Sequence, residues 1–136
     1  MMRFLDANII LRYLTRDLPE KAERCLTLFQ QADRGEVELI TSEAIIAEVV
    51  YVLSSPNLYN LSRERIRALL TPILDLKGLK LSSRQLYHHA LELYATYHID
   101  FEDALAVAHM RDQGIEEILS YDQHFDRVED IERIEP

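Results

Sequence analysis

The sequence lacks most of what would mark a loose, bridged or membrane-bound chain. Three Gly and four Pro among 136 residues leave little material for long irregular loops. Cys25 is the single cysteine, so an internal disulfide is excluded and a reducing, cytoplasmic setting is expected. It falls in a helical pattern and reads as a core thiol. No apolar run approaches the ~20 residues of a membrane span. The N-terminus has no basic segment followed by an apolar stretch and a small-residue cleavage site, so no signal peptide is expected. An excess of positive charge is missing too. The net charge of −9 argues against a nucleic-acid binder that uses its whole surface. No G-x-S-x-G, Walker A or G-x-G-x-x-G pattern occurs, which withholds support from elbow-type acyl transfer and from nucleotide cradling. There is no internal repeat, low-complexity stretch or linker.

What is present fits one soluble globular domain spanning residues 1–136, with 48% hydrophobic and 29% charged residues and a length that can bury a sizeable core. Charge is unevenly spread. Residues 56–90 carry Arg63, Arg65, Arg67, Lys77, Lys80 and Arg84 against Glu64 and Asp75, a net of +4 that leaves −13 for the rest of the chain. This stretch reads either as a solvated helix face or as a phosphate-contacting rim beside an acidic centre.

Periodicity gives strands alternating with helices. Short strands are expected at 2–5, 37–40, 79–81, 117–120 and 131–134, and helices at 7–15, from about 19 to 33, 43–54, 63–75, 83–97 and 101–113. Ser42 and Ser62 are N-cap candidates, Pro19 suits a first helical turn, and Gly35 and Gly114 suit helix ends. The helix at 43–54 is apolar nearly all round, which predicts burial. The alternation predicts an α/β fold with parallel pairing through crossovers and helices on both sheet faces.

Four acids stand out. Asp6 and Asp122 each follow a strand, where open α/β sheets place their ligands; each could equally serve a helix cap or a turn. Glu48 is the one charge between Ala44 and Leu53, and a lone carboxylate in a buried helix is costly unless it is paired, protonated or metal-bound. Asp103 opens a helix beside Asp100 and Glu102, where the helix dipole favours a negative charge but three neighbouring acids repel. Jointly the four suggest oxygen ligands for a hard divalent cation. Zinc is disfavoured. His88 and His89 are adjacent and face apart on a helix, His109 is not on the face of Asp103, and His98 and His124 lack a partner nearby.

Asp6-Ala7-Asn8 with Ile-Ile-Leu-Arg-Tyr-Leu, Ser42 through Glu48-Val49-Val50, Asp100-Phe101-Glu102-Asp103-Ala104-Leu105 and Ser120-Tyr121-Asp122-Gln123-His124-Phe125 together resemble a PIN-domain ribonuclease, most similar to the VapC-type toxins of toxin–antitoxin pairs. Ala7 and Ser120 stand where that family commonly has Thr. The resemblance implies a three-layer α/β/α fold around a mainly parallel sheet of about five strands. It implies a Mg²⁺- or Mn²⁺-dependent endoribonuclease, with Asp6, Glu48, Asp103 and Asp122 as metal ligands and catalytic residues and Asn8 and Ser120 in support. It also implies a homodimer, inhibition by a cognate antitoxin protein, and structured RNA such as tRNA or rRNA as substrate.

On that reading hydrolysis is metal-assisted, with a water of lowered pKa attacking phosphorus in line. Arg12, Arg16, Arg63, Arg65 and Arg67 are candidates for substrate phosphates. Three rivals remain. A phosphatase using Asp6 as nucleophile would want an acid where Asn8 stands. A phosphoacceptor receiver domain does not explain Glu48. A catalytically silent PIN fold that only binds RNA or protein shares every motif.

Overall fold

The computed structural model describes residues 2–136, and the chain divides into two compact units at Arg84 and Gln85. The first unit runs β1 (Met2–Phe4), α1 (Ala7–Thr15), α2 (Pro19–Asp33), β2 (Glu38–Ile40), α3 (Glu43–Ser54), α4 (Arg63–Leu74) and β3 (Leu79–Lys80). Its strands form a parallel sheet in the order β1-β2-β3, with Phe4 opposite Ile40 and Ile40 opposite Lys80. Parallel neighbours need a long crossover; here α1 and α2 make the first and α3 and α4 the second. Leu39 and Leu79, side by side on one face, are buried at 2% and 0% exposure, whereas Phe4 and Ile40 on the opposite face are exposed.

Local signals set the helix ends. Ser42 Oγ accepts from the Ile45 amide at 3.3 Å and Ser62 Oγ from the Arg65 amide at 3.1 Å, as N-caps do. Pro19 occupies the first turn of α2. Gly35, at φ +76°, lets the chain reverse after α2, its amide donating to the Ala32 carbonyl at 3.0 Å. Tyr13 and Phe29 meet edge to face, with centroids 4.8 Å apart, between α1 and α2. Arg84, counted by charge with the basic stretch, is instead a clasp. Its guanidinium donates to the carbonyls of Leu74, Leu76 and Leu79, tying the end of α4 to the start of β3.

In the second unit α5 (Arg84–Tyr97, entering from the boundary) precedes α6 (Phe101–Asp112), β4 (Glu117–Leu119), a 3₁₀ turn at Gln123–Arg127 and β5 (Glu132–Ile134). Tyr94 and Phe101 join α5 to α6 edge to face at 6.1 Å. β4 and β5 pair in parallel, Leu119 opposite Ile134. The described residues are therefore mixed α/β, with six α-helices and five strands paired in parallel, consistent with an α/β/α fold. Ladder bonds group the strands as three and two, where a single sheet of about five was expected. The physical reason is brevity. Strands of two or three residues offer few ladder bonds each, and those of β4 go to β5.

One expectation is corrected. α3 is not buried all round: Ile46, Ala47, Val49, Val50 and Leu53 are buried, but Ala44, Glu48 and Tyr51 are exposed. These three lie four and three residues apart and form one solvent-facing stripe. Apolar residues can stand in water at modest cost, so Ala44 and Tyr51 disguise an ordinary amphipathic helix, and Glu48 bears no burial penalty.

Gly78 fixes the approach of α2 to β2. Its amide donates to the Ala32 carbonyl at 2.8 Å and its carbonyl accepts from the Leu39 amide at 2.7 Å. A β-carbon there would collide with the carbonyl oxygens of Val37 and Ala32. Gly78→Ala is expected to cost about 1–3 kcal/mol, the usual penalty for overpacking, as a lower urea midpoint with an unchanged slope; an unchanged midpoint would contradict the close approach.

Candidate functional site

In the first unit, register sets the candidate residues at one end of the sheet. Phe4 pairs with Ile40, so Asp6, two residues beyond Phe4, and Ser42, two beyond Ile40, both lie past the carboxyl ends of their strands. The two turns are tied together: Thr41 Oγ1 donates to the Leu5 carbonyl at 2.9 Å, and the Leu5 amide to the Ile40 carbonyl at 2.8 Å. Asp6 holds the N-cap position of α1 in extended backbone, yet its side chain accepts no capping hydrogen bond. Its carboxylate is exposed, as is Asn8, and is thus spared for another role. Glu48 lies on the exposed stripe of α3, six residues along from Ser42 and so roughly 9 Å further down the helix axis.

In the second unit Asp103 and Asp122 feel one another directly. Asp103 is half-buried in the first turn of α6. Burial pushes its carboxyl pKa up, and the charges of Asp122, Asp100 and Glu102 push the same way, with His124 opposing. Asp100 holds the N-cap position but makes no side-chain cap bond. Asp122 is the opposite case. Its pKa is lowered, first by the His124 amide, then by the nearby His124 ring and Arg127. The two acids are thereby driven apart, Asp122 keeping its charge and Asp103 bearing the cost.

The Asp122 loop is well braced. The Asp122 amide donates to Ser120 Oγ at 3.0 Å, and the His124 amide to Asp122 Oδ1 at 2.9 Å. Arg133, from β5, donates to both oxygens of Asp126 at 3.0 and 3.3 Å, to Glu135 at 2.6 Å and to the Ser120 carbonyl at 3.2 Å. Asp126 is thus taken up by an arginine fork. The residue missed at the sequence level is His124, whose ring Nδ1 lies 2.7 Å from Asp122 Oδ1. The only available signal was the Asp-x-His spacing.

The basic candidates differ in availability. Arg12 pairs with Asp17 at 3.1 Å, and Asp17 also accepts from the Tyr59 hydroxyl at 2.9 Å. Arg16 pairs with Glu23 at 2.9 Å. Arg65 and Arg67 are exposed on α4. Arg63 and Arg67 share a side of the helix, while Arg65 falls roughly opposite them at 100° per residue, so the three do not form a single face.

Among the described residues no three His, Cys, Asp or Glu side chains form a ready-made metal-ligand group; two of the four acids lie in each unit. The chemistry of the donors nonetheless suits a hard cation. They are carboxylates without a thiolate among them, the one imidazole beside them, His124, is engaged with Asp122 Oδ1, and Asp103 carries a repulsion that a cation would relieve.

The PIN domain family matches residues 3–131. The chain belongs to that family. PIN domains are generally nucleases, and they typically use divalent metal ions. No curated protein matches the chain. Among the described residues, no helix of this PIN domain is long and apolar enough to cross a membrane.

A raised carboxyl pKa has a definite consequence for stability. The folded state holds the Asp103 proton more tightly than the unfolded chain does. Stability from this group is therefore full below the unfolded pKa of about 4 and is lost as pH rises through the folded value. Asp103→Asn is expected to raise the melting temperature of the metal-free protein at pH 7, with the gain shrinking towards pH 3. A variant that melts below the parent at pH 7 would contradict this.

Proposed function

We propose that this PIN domain is a Mg²⁺- or Mn²⁺-dependent endoribonuclease and the toxin of a type II toxin–antitoxin pair. Asp6, Glu48, Asp103 and Asp122 are its metal ligands, with Asn8 and Ser120 supporting them. The reading rests on Asp103, an acid half-buried in the first turn of α6 with the charges of Asp122, Asp100 and Glu102 about it. The uncapped Asp6 beyond a strand end supports it as well.

When bound, a divalent ion supplies water of lowered pKa and offsets charge on the phosphodiester as it is hydrolysed. The chain's own residues prepare for that step. Ser120 holds the Asp122 backbone. Asp122 retains a negative charge. Asp103 carries a charge repulsion that a bound cation would relieve. Arg65 and Arg67 are the better candidates for RNA phosphates, since Arg12 and Arg16 have carboxylate partners. The substrate is a structured RNA, with tRNA and rRNA the leading classes, in the cytoplasm. The active form is a homodimer held in check by an antitoxin protein.

The purified protein, given Mn²⁺ and a panel of structured RNAs, is expected to cleave at least one of them. Asp6→Asn and Asp103→Asn are expected to lose more than the roughly 10–100-fold typical of removing a ligand's hydrogen-bonded neighbour. Cleavage that persists in both variants would sink the ligand assignment. RNA retained without any cleavage would favour the silent binding module.

A further inference from the structure

We propose that His124 is a positioning residue for Asp122, fixing which carboxylate oxygen is presented to a metal; this rests on the reading of Asp122 as a ligand. Asp122 Oδ1 receives two donors from the same residue, the His124 amide at 2.9 Å and the His124 ring Nδ1 at 2.7 Å. Oδ2 accepts no hydrogen bond among the described residues. The Asp122 amide is meanwhile held by Ser120 Oγ at 3.0 Å. Backbone and carboxylate are thus both anchored, and rotation about the last side-chain bond would break the ring contact.

Turning the carboxylate would break the amide and ring contacts together, since both end on Oδ1. The amide and the ring hold the same oxygen, Oδ1, so the ring adds a second hold on it and leaves Oδ2 as the oxygen without a hydrogen bond. Ligating carboxylates are commonly oriented by such hydrogen-bonded neighbours. The contact needs a ring hydrogen on Nδ1, the nitrogen that faces Oδ1. The arrangement also accounts for the histidine as such. Most polar residues could expose themselves two positions into a 3₁₀ turn, but a donor at the Nδ1 position is matched only by the short amide of Asn.

The test is Mn²⁺ affinity, read by calorimetry on the full chain, with circular dichroism confirming the fold. His124→Phe keeps a ring and removes the donor; His124→Asn keeps a donor near Nδ1. Asp122→Asn serves as the reference for losing the ligand. His124→Phe is expected to weaken Mn²⁺ binding about 10–100-fold, with His124→Asn close to the parent. Unchanged affinity in His124→Phe beside weakened affinity in Asp122→Asn would overturn the positioning role alone. Unchanged affinity in both would overturn the metal-site reading and the positioning role with it. Equal weakening in His124→Phe and His124→Asn would also overturn it, since the donor would not be what matters.

Discussion

The hydrogen bond from Thr41 Oγ1 to the Leu5 carbonyl is the constraint on which the first unit's geometry depends. Thr41 is the only polar residue buried among those described, at 8% exposure, and a buried hydroxyl must find a partner. Its partner is the last carbonyl before Asp6. The bond therefore locks the turn that carries Asp6 to the turn that launches α3, at the one edge of the parallel sheet where strand ends and helix starts coincide. Register makes this possible: with Phe4 opposite Ile40, both chains leave the sheet level with each other. Were β1 to slip by one residue, Leu5 would point to the wrong face and Asp6 would no longer stand at the strand end.

In the second unit a packed core carries a charge conflict at its edge. Asp122 sits among donors and stays ionised; Asp103 sits half-buried against it and is penalised. A fold selected for stability alone would remove that conflict. Residues held at a cost cluster at functional sites, and hydrolysis at phosphorus needs carboxylates that can collect a cation. Asp126, equally acidic and close in sequence, shows the contrast: Arg133 neutralises it and it braces the loop.

Much of this was legible in the sequence because it depends on local chemistry. The caps at Ser42 and Ser62, the turn at Gly35, the first-turn proline of α2 and the strand–helix alternation all follow from residues near each other in the chain. Asp6 and Asp122 were legible as strand-end acids, although Asp122 is also the turn residue that the simpler reading expected. The burial expected of Glu48 was misjudged because Ala44 and Tyr51 gave α3 an apolar exposed stripe, and periodicity cannot see which apolar residues meet water. The division of the strands into three and two was hidden for a related reason, since pairing partners are a non-local choice. The carboxylate partners of Arg12 and Arg16, and the carbonyl clasp of Arg84, were likewise invisible, because charge counted along a sequence does not show what each guanidinium touches.

The central claim is that the acids of this PIN domain are kept for a divalent cation. It is tested most directly by thermal melts of the parent protein at pH 7 with EDTA and with Mn²⁺. A ligand present at a hundred times its dissociation constant stabilises the folded state by about 2.7 kcal/mol, so the account predicts a clear rise of the parent's melting temperature with Mn²⁺ and a much smaller one for Asp103→Asn. A parent whose melting temperature is the same in EDTA and in millimolar Mn²⁺ would contradict it.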